Sequence, residues 1–365
     1  AQDPQRPHAL RIHLQDLDFR ARSIHLKSDP PDAGTEHLST ATIDRALNKR
    51  SHVSPQTQAR VAAAISELEA QESQMSARGR RMFFDFVIEA PTRFSREVRQ
   101  AAEQVVGQVS GTSCRLRFVA QEMMSDIEIT KILTRIAKRG SQGVCLKARD
   151  TAQVRGCVEM LHKAGIPVVT LVTDIRDAHR IAYVGLDNES AGQTAAYLTA
   201  TALGDAHGTV LALHSNENFL GEEQRARAFA EKLSELCPSL RLVALSGGSG
   251  VHFETARLLS GVVGNLEDIC AVYSMGGGNR AILDVLEQSG HDPTIYIAHD
   301  LDRDNRQLLS EGSVNFVLHH DLRLDMQNVL QALLHRHRLV AEGPRQPISS
   351  VQVITPMNVP PVHRD

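Results

Sequence analysis

The chain has no tryptophan, and aromatic residues make up only 4% of its 365 residues, so ring stacking on a ligand is limited. It has no apolar run of about 18 residues, which leaves no candidate for a membrane-spanning helix. Its N-terminal stretch lacks the apolar segment of an export signal, so a cytoplasmic location is expected. Cysteine is sparse: Cys114, Cys145, Cys157, Cys237 and Cys270 are odd in number, scattered and without metal-ligand spacing. They read as free thiols of a reducing compartment. Two catalytic signatures are also missing, the Gly-x-Ser-x-Gly elbow and the His-Glu-x-x-His helix. The 17 histidines are dispersed, four of them in the first 37 residues. No enzyme activity, metal or cofactor is therefore expected. Nor does one sign of charge dominate, the formal net charge being −3.

What is present is a chain of 42% hydrophobic residues, long enough for two or three domains. Near its start, Leu38-Ser-Thr-Ala-Thr-Ile-Asp-Arg-Ala-Leu-Asn48 reads as a short helix capped by Ser39. Ile43, Ala46 and Leu47 form its apolar stripe, while Thr40, Ala41, Asp44 and Arg45 face outward. A second helix follows Ser54 as cap and Pro55 at its first position, with Val61, Ile65 and Leu68 at helical spacing. Between Ser39 and Arg81, seven basic residues face four acidic ones, opposite in sign to the whole chain. Small polar residues at the start of an exposed helix suit the reading of base edges in a major groove.

Ser39 to Asn48 followed by Val53-Ser-Pro-Gln-Thr-Gln-Ala-Arg-Val61 closely resembles the recognition and third helices of the LacI (lactose repressor) family of transcription regulators. The resemblance implies that Thr40, Ala41 and Arg45 read bases, and that Ser39, Thr42 and Asn48 hold phosphates. It also implies a first helix before residue 37. Here that stretch carries Pro30 and Pro31, which break helices, so this all-α helix-turn-helix domain is incomplete at its first helix. Residues 71–81 form a polar, basic linker where the family has a hinge helix that inserts a wedge in the minor groove. Met75 is its one apolar candidate, and Gly79 falls near the wedge position.

From Met82 the pattern alternates between strand and helix. Strands are expected at 83–88, 114–119, 143–146 and 167–172, with helices at 95–106, 126–137 and 151–164. The pattern restarts after Asn188 with helices at 189–203, 222–236, 253–264 and 278–289, and strands at 209–213, 241–245, 271–274 and 294–298. Two successive doubly wound units imply two lobes and a cleft at the strand ends. Ala182 to Gly192, Ile297 to Leu301, Val317 to Asp321 and Val351 to Pro360 resemble segments of the periplasmic-sugar-binding-protein fold, the effector domain of the same family. The expected organisation is an irregular segment at 1–37, the helix-turn-helix at 38–70, the linker at 71–81 and an α/β effector domain at 82–360. Lobe 1 is expected at about 82–186 and 321–349, and lobe 2 at about 187–320 and 350–360.

Seven residues stand out for the cleft. Asp300 ends a strand and can accept from two sugar hydroxyls, as an aspartate does in the resembled fold; alternatively it caps the helix that follows. Arg225, in Arg-Ala-Arg-Ala-Phe229, matches the family's Arg-x-x-Gly-Phe with alanine for glycine; alternatively it pairs with Glu222 or Glu223 on the surface. His320 stands where many relatives carry glutamine, and otherwise is a hinge-surface histidine. Thr173 and Asp174 follow the strand ending at Val172, where relatives that bind ribose-like sugars carry Asp-Arg; Asp174 substitutes if the chain shifts slightly. Phe94 either covers a sugar face or joins the core. Gly276, with Gly277 and Gly278, lets a ligand approach a helix N-terminus, although no Gly-Lys-Ser/Thr ending supports a phosphate cradle. Ser246-Gly-Gly-Ser-Gly250 reads as an ordinary strand-to-helix turn. The resemblance implies a dimeric regulator, with operator DNA and a sugar or polyol effector as partners and no membrane contact.

Overall fold

The computed structural model describes residues 45–46, 53–59, 61–63, 81–109 and 112–361. The chain divides into two compact units, Ala1–Glu72 and Ser73–Asp365. In the first, Arg45 and Ala46 are helical and Arg45 is exposed. A helical stretch begins at Pro55, where the Ser54 hydroxyl accepts the Thr57 amide at 3.1 Å. Val61 is buried. Ser39, Thr40, Ala41, Thr42 and Asn48, like Ile65, Leu68 and the linker at 71–80, lie outside the described residues.

The second unit holds two six-stranded sheets. The first contains β1 (Arg81–Glu89), β2 (Ser113–Gln121), β3 (Gly143–Lys147), β4 (Val168–Leu171) and β5 (Ala182–Leu186), in the order β5-β4-β3-β1-β2. The second contains β6 (Gly208–His214), β7 (Leu240–Ser246), β8 (Ile269–Ser274), β9 (Ile295–His299) and β10 (Phe316–His319), in the order β10-β9-β8-β6-β7. All these pairs are parallel. The short strands β11 (Ile348–Ser349) and β12 (Gln352–Ile354) add an outer strand to each sheet, β11 parallel to β5 and β12 antiparallel to β10. The chain thus passes between the sheets three times: after Leu186, after His319 and between Ser349 and Gln352.

The central strands form where the chain is predominantly apolar. β3 and β4 are buried at every residue, as a sheet covered on both faces requires. Helices α1 (Thr92–Val106), α2 (Asp126–Arg139) and α3 (Ala152–Lys163) cover the first sheet. Helices α4 (Asn188–Leu203), α5 (Leu220–Leu236), α6 (His252–Ser260), α7 (Asn279–Gln288) and α8 (Arg303–Glu311) belong to the second lobe, and α9 (Leu322–Arg336) returns to the core of the first. Side chains fix several helix starts: Ser125 and Glu128 form a capping box, and Thr151, Asp187, Asp302 and Asp321 accept first-turn amides. The helix expected over 253–264 ends at Ser260. Gly261 and Gly264 are poor helix formers, and a separate 3-10 turn, Val263–Asn265, follows.

Helices α4 and α5 approach closely because α4 presents Ala191, Gly192, Ala195 and Ala196. A Cβ on Gly192 would stand 2.3 Å from the Arg225 carbonyl oxygen. That close approach places Arg225 at the strand ends. Among the described residues, no helix is long and apolar enough to cross a membrane, and no group of three or more His, Cys, Asp or Glu could hold a metal ion.

Candidate functional site

The two lobes meet around a cavity at the C-terminal ends of their strands, the place where open α/β sheets present loops to a ligand. Its wall takes Phe94 and Lys147 with Val172 and Thr173 from lobe 1, and Ser215, Phe219, Glu222, Arg225, Gly276, His299 and Asp300 from lobe 2. Measured to the centres of water-sized molecules, the cavity is about 50 Å³. A sphere of that volume widened by the ~1.4 Å radius of water encloses about 200 Å³, the space of one compact small molecule.

Asp300 follows β9 with φ 63°, a left-handed conformation uncommon outside glycine, and Val172 follows β4 with φ 64°. Such geometry costs roughly 1–3 kcal/mol per residue and persists only where the surroundings impose it. Behind Asp300 lies fully buried His320, with Nε2 3.5 Å from Asp300 Oδ1 and Nδ1 2.5 Å from Asp325 Oδ2. The other Asp325 oxygen accepts from Ser349 Oγ at 2.7 Å. This buried line joins the lobe 2 wall, the second crossing, helix α9 of lobe 1 and strand β11. Burial opposes the charge on His320, but Asp325 and Asp300 outweigh it and raise its pKa to about 10. Burial likewise works against the Asp300 carboxylate, yet its bond to His320 and that residue's charge hold it well below the usual carboxylate range. At neutral pH, Asp300 is thus an anion backed by an imidazolium.

Arg225 is 2% exposed. Its Nε donates to Asn188 Oδ1 at 2.7 Å and its Nη1 to the Met275 carbonyl at 3.1 Å. Glu222 accepts the Ser215 amide at 2.5 Å and the Ser215 hydroxyl at 2.7 Å. His299 Nε2 meets the Tyr273 hydroxyl at 2.7 Å, while its Nδ1 has no hydrogen-bond partner among the described residues. Burial, followed by the Arg225 charge, drives its pKa well below the ordinary histidine value and keeps the ring neutral. From lobe 1, the buried Lys147 donates to the Glu89 carbonyl at 2.9 Å and lies 4.2 Å from the centre of the Phe219 ring. Burial lowers its pKa, and Glu222, Glu89 and Asp300 offset this only in part.

Contacts between the lobes close the site. Arg93 of α1 reaches across to Asp302 at 2.8 Å and to the Gly250 carbonyl at 3.0 Å. Asp302 is raised to about 6, chiefly by burial. The Gly221 amide donates to Thr173 Oγ1, the Asp150 amide to the Asn218 carbonyl, and Arg176 pairs with Glu223. The glycine-rich turns serve this closure. A Cβ on Gly277 would fall 2.1 Å from Arg93 Nη2, and one on Gly250 would fall 2.4 Å from the Gly276 carbonyl.

Of the seven cleft residues expected from the sequence, Phe94, Thr173, Arg225, Gly276 and Asp300 lie on this wall, and Asp174 and His320 do not. Asp174 is held by Arg180, accepts the Thr170 hydroxyl at 2.7 Å and accepts its neighbour Ile175's amide, so no chain shift brings it to the cavity. His320 is neither on the surface nor on the wall; it supports Asp300 from behind. Asp300 is not the helix cap, because its left-handed turn moves that role to Asp302, which accepts the Asn305 amide. Arg225 makes no surface pair with Glu222 or Glu223, because the α4–α5 approach buries it. Phe94 belongs to the lobe 1 core as well as to the wall. Lys147, Glu222 and His299 were missed. Lys147 directly follows the strand expected at 143–146, and its place at a strand end, where a cleft opens, was the one available signal.

Residues 92–333 match the family described as periplasmic binding protein domain. Solved structures agree in fold. A glucose-galactose binding protein from Geobacillus stearothermophilus is 21% identical, with a TM-score of 0.67 over 77% of this chain and 99% of that one. A protein assigned as a LacI transcriptional regulator from Bacteroides fragilis is 18% identical, with a TM-score of 0.67 over 76% and 98%. An ABC transporter solute binding protein from Agrobacterium vitis, bound with α-D-tagatopyranose, is 18% identical, with a TM-score of 0.66 over 76% and 95%. No curated protein sequence matches.

Proposed function

Because this chain belongs to the periplasmic binding protein domain family, we propose that its cavity binds one sugar or polyol molecule. The observation that carries this reading is the pairing of Asp300, an anion secured by His320, with Arg225 on the same small cavity. A fixed carboxylate accepts from adjacent hydroxyls, and a guanidinium donates to ring or hydroxyl oxygens. Thr173 and Gly276 complete the wall, and Phe94 covers an apolar face. The sugars named for two of the solved neighbours support the same ligand class. Differential scanning fluorimetry with D-glucose, D-galactose, D-fructose, D-tagatose, myo-inositol, D-gluconate and D-galacturonate tests it. A rise in Tm with at least one compound, lost in Arg225→Ala, is expected; no rise with any of them contradicts it.

The ligand-bound chain is further proposed to be a dimeric, cytoplasmic transcription regulator of the LacI type. Thr40, Ala41 and Arg45 read bases, and Ser39, Thr42 and Asn48 hold phosphates. The sequence from Leu38 to Val61 supports this, as does the fold shared with the Bacteroides fragilis protein. Closure of the lobes then alters the spacing of two DNA-binding modules, and ligand and operator affect each other reciprocally. Pro30 and Pro31, where a first helix belongs, favour a second reading: a sugar sensor that no longer binds DNA. A salt-sensitive mobility shift on DNA flanking the gene, altered by the sugar that raises Tm, supports the regulator. Sugar binding with no shift on that DNA, and a shift gained when residues 1–37 are replaced by a family-type first helix, supports the sensor.

A further inference from the structure

Each carboxylate on the cavity wall or just behind Lys147 has a partner in the protein itself. Asp300 pairs with the charge of His320 at 3.5 Å, Glu222 has both Ser215 donors, Asp302 has Arg93 and Glu122 has the Thr92 hydroxyl. Glu89, behind Lys147, accepts from the Met124 amide and from Arg149. The two buried cations are treated differently. Arg225 is bonded only to neutral oxygens, those of Asn188 and Met275. Lys147, 8% exposed, has three donors and one protein acceptor, the Glu89 carbonyl. Its ammonium otherwise meets ring faces, Phe219 at 4.2 Å and Phe94 at 5.8 Å, and both rings line the cavity. Among the described residues, neither cation forms an ion pair. Nearby carboxylates offset the burial of Lys147 only in part, and closing the cavity on a neutral sugar adds no anion in contact with either cation.

We infer that the ligand is an acidic sugar, whose carboxylate or phosphate takes the open donors of Lys147 and Arg225 while its hydroxyls meet Asp300 and Glu222. This inference rests on the sugar reading above and narrows it. The anion supplies the contact ion pair that the cavity's own carboxylates, bonded to other donors, do not make with Lys147 or Arg225.

The test is calorimetric titration of the full chain and of Lys147→Met with D-galacturonate, D-gluconate and D-galactose 6-phosphate, against D-galactose, D-glucose and the hydroxyl-free acid succinate. At least one sugar acid should bind about tenfold or more tighter than its neutral parent, and Lys147→Met should abolish that margin. Binding of a carboxylate rather than the phosphate, or the reverse, identifies which anion the site takes. The ligand-free Tm gives an independent readout: with an uncompensated cation replaced by an apolar chain of similar length, Lys147→Met should melt higher than the parent. Neutral sugars binding as tightly as their acids, or a margin that survives Lys147→Met, overturns the inference and leaves the sugar reading standing. Succinate binding as tightly as the sugar acids keeps the anion site and overturns the sugar reading. A lower Tm for Lys147→Met, with Lys147→Gln behaving the same way, marks the lysine as structural and overturns the inference.

Discussion

The two walls of the cavity are built on different principles. The lobe 2 wall is a set of polar groups, each immobilised by others: Asp300 by His320, Glu222 by Ser215, Arg225 by Asn188 and Met275, and His299 by Tyr273. The lobe 1 wall is sparser. Phe94 supplies a ring, Thr173 a hydroxyl already engaged with Gly221, and Lys147 an ammonium held by one carbonyl. Lobe 2 therefore holds its binding geometry before a ligand arrives, whereas lobe 1 contributes a cover and a charge. Preorganised polar groups lose less on binding than groups that must be ordered at that moment. The first contact of a ligand should thus be with lobe 2, and closure should add lobe 1.

The sharpest way to break this contrast is at His320, the buried support of the lobe 2 wall. His320→Leu leaves Asp300 and Asp325 without their shared cation, and loss of one partner of a buried ion pair typically costs about 3–5 kcal/mol. Urea unfolding should show a loss of that size. A variant within about 1 kcal/mol of the parent would mean that the line from Asp300 to Ser349 is not a stabilising network.

The same histidine sets a pH dependence. Its folded-state pKa lies above the unfolded value, raised to about 10 from 6.5 by Asp325 and Asp300 against the effect of burial. Its contribution is fully present below about pH 6.5 and is lost as pH rises through about 10. Tm should therefore fall between pH 7 and pH 10. In His320→Leu that part of the fall should vanish, and an unchanged slope would remove His320 as its cause.

Gly192→Ala tests how Arg225 is delivered to lobe 2. Its methyl would meet the Arg225 carbonyl at 2.3 Å, and overpacking of this kind costs about 1–3 kcal/mol. Weaker sugar binding together with a lower Tm is expected. Unaltered binding would separate the helix approach from the site. The smallest effect belongs to Glu223→Gln. Its pair with Arg176 at 3.4 Å is an exposed contact between the lobes, and glutamine keeps an acceptor for the Asn218 amide, so a stability change under about 1 kcal/mol should result.

Much of the fold was legible because its signals are local. Apolar runs such as Val168–Leu171 and the glycine or capping residues at helix ends mark parallel strands and crossover helices without reference to distant partners. The short strands β11 and β12, of two and three residues, carry no such pattern and exist only because β5 and β10 offer free edges. The site divides in the same way. Asp300 and Arg225 stand at strand and helix ends with recognisable neighbours. Asp174 shares that placement, but Arg180, six residues on, captures it. Lys147 and Glu222 became visible only when the lobes were brought together, and the use of Gly277 depends on Arg93, far away in sequence. His320 reads as a cleft residue, or else a hinge-surface one, because the buried carboxylate that defines its role, Asp325, lies on the following helix.

The most direct measurement of the central claim is calorimetric binding of the sugar and sugar-acid panel to the parent chain and to Asp300→Asn, with folding verified by circular dichroism. The account predicts one-to-one binding of at least one compound and a loss of about a hundredfold or more in Asp300→Asn, because the amide replaces a charged acceptor with a neutral group that has only one acceptor oxygen. Binding that is unchanged in a folded Asp300→Asn would contradict the account and place the ligand elsewhere.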